Sequence, residues 1–97
     1  MNPKSKITIL LIEDNPGDAN LIKVYLSESS VKHELLHTDT LFDGLEIISN
    51  QEVTLVLLDL TLPDSSGFKT LSNFLEKVPR IPVIVLTGSR RIKQTPP

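Results

Sequence analysis

The chain has 97 residues, 39 % of them apolar, and a formal net charge of −2, which suits one small domain with a thin core. It has no cysteine, so disulfides and thiolate metal sites are excluded, in keeping with a reducing cytoplasm. The acidic balance argues against a nucleic-acid surface, and no apolar run is long enough to cross a bilayer or to serve as a signal peptide.

Residues 7–12 are dense in branched aliphatics and too short for a helix, which predicts a strand buried on both faces. Asn15 then offers a helix cap with Pro16 at the first helical position, and Leu21, Ile22, Tyr25 and Leu26 form the apolar face. Residues 33–38 are mixed in polarity and fit an edge strand. Thr38, Asp39 and Thr40 are cap candidates for a second helix carrying Leu41, Leu45 and Ile48. Residues 53–58 are a second aliphatic run. After it, Ser65 or Ser66 would cap a third helix with Phe68, Leu71, Leu75 and Val78 on one stripe. Residues 81–86 are the last run, with Pro82 tolerable at a strand's start. Strands alternating with helices predict an α/β fold with a parallel sheet and helices on both faces.

Each strong strand runs into polar groups: the first into Glu13 and Asp14, the third into Asp59, the fourth into Thr87 and Gly88. In an open parallel sheet these ends share one rim, where ligands bind. Each acid taken alone reads as a solvated loop residue or a cap. Together, three carboxylates on one rim repel one another and call for a small hard cation such as Mg²⁺, which takes one or two carboxylates and keeps waters. A metal-bound carboxylate beside a hydroxyl and a glycine N–H is a phosphoryl-acceptor arrangement.

Three stretches carry a family resemblance over residues 6–89: Ile9-Leu10-Leu11-Ile12-Glu13-Asp14-Asn15, Leu57-Leu58-Asp59-Leu60-Thr61-Leu62-Pro63-Asp64-Ser65-Ser66-Gly67, and Pro82-Val83-Ile84-Val85-Leu86-Thr87-Gly88. The chain resembles the response-regulator receiver domains of two-component signalling. The resemblance implies a flavodoxin-like doubly wound parallel sheet, here in order 2-1-3-4. It implies that Asp59 is the phosphoacceptor, that Asp14, Asp59 and the Thr61 backbone carbonyl ligate Mg²⁺, and that Glu13 acts through a bound water. Thr87 would be the switch hydroxyl, the Gly88 N–H would face the phosphoryl oxygens, and Leu62-Pro63 and Gly67 would shape the loop. The partners implied are a sensor histidine kinase or phosphotransfer protein and a downstream protein target, in the cytoplasm. Such a module is not an enzyme in its own right, although it can slowly hydrolyse its own phosphoryl group.

The family's fifth strand with its lysine, its coupling aromatic residue and its last helices have no counterpart among these 97 residues. The expectation is one incomplete domain over residues 1–97, with a family-like core at 6–89 and an atypical tail at 90–97. A receiver-like interaction module with impaired phosphoryl turnover is therefore the alternative reading. An uncovered fourth strand would also favour a homo-oligomer. His33 and His37 read as edge-strand residues rather than a metal pair, Arg90, Arg91 and Lys93 as a solvated tail, and Leu62 and Phe68 as packing residues. A haloacid-dehalogenase-like hydrolase would need an acid where Thr61 stands and its nucleophile after the first strand. A flavin module would need a Ser/Thr/Gly-rich phosphate loop where Glu13-Asp14-Asn15-Pro16-Gly17-Asp18 is acidic.

Overall fold

The aliphatic runs pair side by side as parallel strands. The structure, a computed structural model, describes residues 6–86. In chain order these are β1 (Ile7–Ile12), α1 (Pro16–Ser27), β2 (His33–Thr38), α2 (Leu41–Asn50), β3 (Leu55–Asp59), β4 (Thr61–Leu62), β5 (Ser65–Ser66), α3 (Phe68–Lys77) and β6 (Val83–Leu86). The main sheet is parallel throughout, in the order β2-β1-β3-β6, and β4 and β5 form a separate antiparallel ribbon. The fold is the flavodoxin-like arrangement expected, with β6 as its fourth strand. Thr87, Gly88 and the tail at 90–97 lie outside the described residues.

Alternation along β1 explains why its sequence is apolar without a break. Leu10 and Ile12 point into a cluster with Val56, Leu58, Phe74 and Val78, under α2 and α3. Ile9 and Leu11 point the other way, onto Ala19 and Leu57 under α1. Leu10, Leu11 and Ile12 are wholly shielded from solvent. Burial of each such side chain contributes about 1.5–3 kcal/mol, which makes β1 the spine of the domain. β2 is the edge strand that its mixed composition predicted. No helix among the described residues is long and apolar enough to cross a membrane.

Helix starts follow the local chemistry more closely than helix faces do. Asn15 caps α1, its Oδ1 accepting from the Asp18 N–H at 2.8 Å, with Pro16 in the first turn. Thr40 caps α2, its Oγ1 accepting from the Asp43 N–H at 3.1 Å. The third start differs from expectation: Gly67, not Ser65 or Ser66, is the N-cap of α3, and no side chain caps it. The inward face of α1 is Ala19, Ile22 and Leu26, whereas Leu21 and Tyr25 are exposed. In α3 the buried residues are Thr70 and Phe74, with Leu71 and Val78 packed beside them. Phe68, read as a packing residue, is 81 % exposed, while Leu62 is buried as expected.

Gly44 brings α2 onto β1. A Cβ at this position would collide with the Ile12 Cδ1 and lie 3.0 Å from its Cγ1. Ile12 is fully buried and has nowhere to yield. Overpacking typically costs about 1–3 kcal/mol, against a helix-propensity gain from alanine of about 1 kcal/mol. Gly44→Ala is therefore expected to destabilise the protein by roughly 1 kcal/mol in urea unfolding. An unchanged or higher midpoint would mean that Ile12 repacks without strain.

Candidate metal centre

The register of β1 on β3 brings the acids together. Ile12 pairs with Leu58, so the next residues, Glu13 and Asp59, leave the sheet side by side at its C-terminal rim. Backbone bonds hold Glu13 in place: its N–H donates to the Thr38 carbonyl at 3.0 Å, and its carbonyl accepts from the His37 Nε2–H at 2.8 Å. Its Oε2 accepts from the Asn15 N–H at 3.2 Å. Glu13 and Asp59 are buried and Asp14 is exposed, and one carboxylate oxygen from each lies within 4.8 Å of the others. Among the described residues this is the one group of three or more potential ligands that converges so closely.

Electrostatics mark the cluster as strained without a cation. Burial, followed by the hydrogen bond to Asp59, pushes the Glu13 carboxyl up to about 7. The Asn15 N–H opposes the shift, and the charges of Asp59 and Asp18 add to it. A carboxyl that holds its proton near neutrality beside a second buried acid is where a divalent cation would replace that proton. The donors are all oxygen, which suits a hard ion such as Mg²⁺ or Mn²⁺. Their spread fits a small octahedral ion that binds some of them directly and others through water.

The loop after Asp59 is closed on itself. The Thr61 N–H donates to the Asp59 Oδ1 at 3.2 Å. The Leu60 carbonyl accepts from the Gly67 N–H at 2.7 Å and from the Thr70 Oγ1 at 3.3 Å, and the Ser65 and Thr70 hydroxyls are 2.7 Å apart. Gly67 has φ +70°, and a Cβ there would touch nothing. The need for glycine is thus one of backbone conformation alone. Of the two histidines, the His33 Nδ1–H donates to the Val31 carbonyl at 2.9 Å, and His37 braces Glu13.

Asp64 was not singled out in the sequence. Its Oδ1 accepts from the Leu41 N–H and its Oδ2 from the Phe42 N–H, both at 2.9 Å. Slight burial alone would raise its pKa, but these amides and its own N–H hold the carboxyl below the usual range. An acid after Pro63 was the available signal, yet the bonded helix lies 22 and 23 positions away. Beside the acids, a groove of about 350 Å³ is lined by Asp14, Pro16, His37, Thr38 and Asp39. A larger depression of about 440 Å³, lined by Lys6, Lys32 and His33 among others, lies away from the acids, at the start of β1 and β2.

Comparison with known proteins points one way. A family model described as the response regulator receiver domain matches residues 9–96. Response regulator Rcp1 of Synechocystis sp. is 37 % identical over 93 residues, covering 84 % of this chain and 61 % of Rcp1. The chain thus spans less than two thirds of that relative's length. The crystal structure of the Mn²⁺-bound form of Rcp1 matches with a TM-score of 0.73 at 32 % identity, covering 84 % of this chain and 65 % of that one. The receiver domain of sensor histidine kinase PA1611 from Pseudomonas aeruginosa PAO1, with a magnesium ion coordinated in its active site cleft, matches with a TM-score of 0.71 at 25 % identity. That match covers 89 % of this chain and 75 % of the other.

Proposed function

Because the chain belongs to the response regulator receiver domain family, we propose that it takes a phosphoryl group onto Asp59 from a sensor histidine kinase or a phosphotransfer protein, with Mg²⁺ bound. The observation that carries this reading is the convergence of Glu13, Asp14 and Asp59 from adjacent strand ends, with their carboxylate oxygens within 4.8 Å. Asp14, Asp59 and the Thr61 carbonyl would hold the ion, and Glu13 would hold one of its waters. When bound, the cation neutralises the carboxylates and the charge that develops on the phosphoryl oxygens.

The chain's own residues do the rest. One Asp59 oxygen attacks phosphorus. The O–P bond forms as the donor's N–P bond breaks, and the electron pair leaves on the donor's imidazole nitrogen. The Thr61 N–H holds the Asp59 Oδ1 at 3.2 Å and so orients the carboxylate. Thr87 and Gly88, outside the described residues, are proposed to meet the phosphoryl oxygens with a hydroxyl and an N–H. The groove beside Asp14 gives a donor side chain a way in.

The same reading makes the protein a cytoplasmic signalling module whose output passes through a downstream protein target. A second copy of the chain is a further proposed partner, because β6 is an outer strand of the sheet among the described residues. Incubation with a small acyl phosphate and Mg²⁺ should add a single phosphoryl mass, and a chelator should prevent it. Equal labelling with and without metal would overturn the metal-assisted mechanism.

A further inference from the structure

We infer that Asp64 is a positioning residue for the metal centre, holding the loop that carries Thr61 against α2 and, through α2, against the strand that carries Glu13. The inference rests on the receiver reading above and adds a residue to it. The other bonds of the loop tie it only to its own flanks: Thr61 to Asp59, Gly67 and Thr70 to Leu60, and Ser65 to Thr70. The ribbon between them is two residues on each side, too short to fix its own orientation. Asp64 alone among these contacts reaches another layer of the fold. It offers one oxygen to each of the Leu41 and Phe42 N–H groups. These are orphan donors of the first turn of α2, and the positive end of the helix favours the carboxylate.

What α2 rests on gives the contact its consequence. Gly44 seats the helix directly on Ile12, and Glu13 is the next residue along. The two sides of the acidic cluster, Glu13 with Asp14 and Asp59 with Thr61, are joined by the β1–β3 ladder and by Leu62, which is buried in one cluster with Ile12 and Leu41. Asp64 adds a hydrogen-bonded link that runs through α2 and the loop. Without that link the loop keeps its apolar anchor, but the Thr61 carbonyl is held less tightly relative to Glu13. Groups that orient the ligands of a metal are commonly worth tenfold or more in affinity.

The test is a Mg²⁺ titration of the whole chain, followed by amide chemical shifts, with Asp64→Ala, Asp64→Asn and Thr40→Ala beside the wild type. Thr40→Ala removes the other cap of the same helix and controls for simple loss of helix stability. Asp64→Ala is expected to weaken Mg²⁺ binding by about tenfold, and Asp64→Asn, which keeps one acceptor oxygen, to fall between it and the wild type. Thr40→Ala should bind as the wild type does. The Leu41 and Phe42 amides should respond to Mg²⁺ in the wild type and not in Asp64→Ala. An Asp64→Ala affinity equal to that of the wild type overturns the inference, as does an equal loss in Thr40→Ala. A wild type that does not respond at all overturns the metal reading itself, and this inference with it.

Discussion

Asp59→Asn is expected to abolish phosphoryl labelling and, in the same protein, to raise the stability of the metal-free form at pH 8. The first effect follows because an amide nitrogen or oxygen does not replace the carboxylate nucleophile. The second follows from the position of Asp59 beside Glu13. Glu13 is raised to about 7 by burial and by Asp59. At pH 8 the Glu13 carboxylate is therefore ionised against its environment. The whole shift of Glu13 corresponds to about 3 kcal/mol, and burial, the larger cause, survives the substitution. The gain should thus be a fraction of that, about 1 kcal/mol in urea unfolding with a chelator present. Asparagine keeps an oxygen for the Thr61 N–H, so the loop contact persists. Labelling of Asp59→Asn at the wild-type level would place the acceptor elsewhere. A variant less stable than the wild type would mean that repulsion between the two acids is minor.

The metal-free protein should also lose stability as pH rises from about 4.5 to about 7. Glu13 binds its proton more tightly in the folded state than in the unfolded one. Over that window the native state therefore holds more protons, and each rise in pH favours unfolding. The integrated loss is up to about 3 kcal/mol, after which the curve flattens. Asp64 works in the opposite direction at lower pH. Its carboxyl is held below the usual range, so its contribution is present above the unfolded carboxylate pKa and is lost as pH falls through the folded value. Mg²⁺ should reverse the neutral limb, because the cation takes the place of the proton and its affinity grows with pH through about 7. Urea midpoints at several pH values between 5 and 8, with chelator and with Mg²⁺, measure both effects. Glu13→Gln should flatten the chelator curve. A wild-type curve that is already flat there would show that the Glu13 proton is not held by the fold.

The sheet and its acidic rim were legible in the sequence because both depend on short-range patterns. Continuous aliphatic runs mark strands covered on both faces, and parallel strands deliver their C-terminal residues to one rim. Glu13, Asp14 and Asp59 could be grouped on that basis before any distance was known. The faces of α1 and α3 were less legible. Counting apolar residues put Phe68 and Leu75 on the inner stripe of α3, whereas Thr70 and Phe74 lie there. Thr70 is buried because Ser65 and the Leu60 carbonyl satisfy its hydroxyl, and no helical periodicity announces such partners. Ala19 was overlooked on α1 because its side chain is small, although it is almost wholly buried. Asp64 was missed for a third reason: both of its acceptor oxygens serve a helix that is remote in the chain.

The parallel sheet has a consequence for the order in which the chain folds. No ladder in it joins strands through a hairpin. β1 meets β3 only after α1, β2 and α2 have intervened, and their junction includes the Thr8 N–H on the Thr54 Oγ1, 46 positions away. Among the described residues the one antiparallel pairing, closed by a short turn, is the two-residue ribbon of β4 and β5. Loop closure thus precedes the contacts that reward it, which places the domain among slower-folding topologies for its size. The step that closes the longest of these loops onto β1 also sets Asp59 beside Glu13. Docking of β3 on β1 therefore meets its greatest entropic barrier and its greatest charge repulsion in the same event. A counter-charge present at that moment, whether a proton or a cation, would lessen that repulsion, and it would speed folding to the extent that the two acids already meet in the transition state.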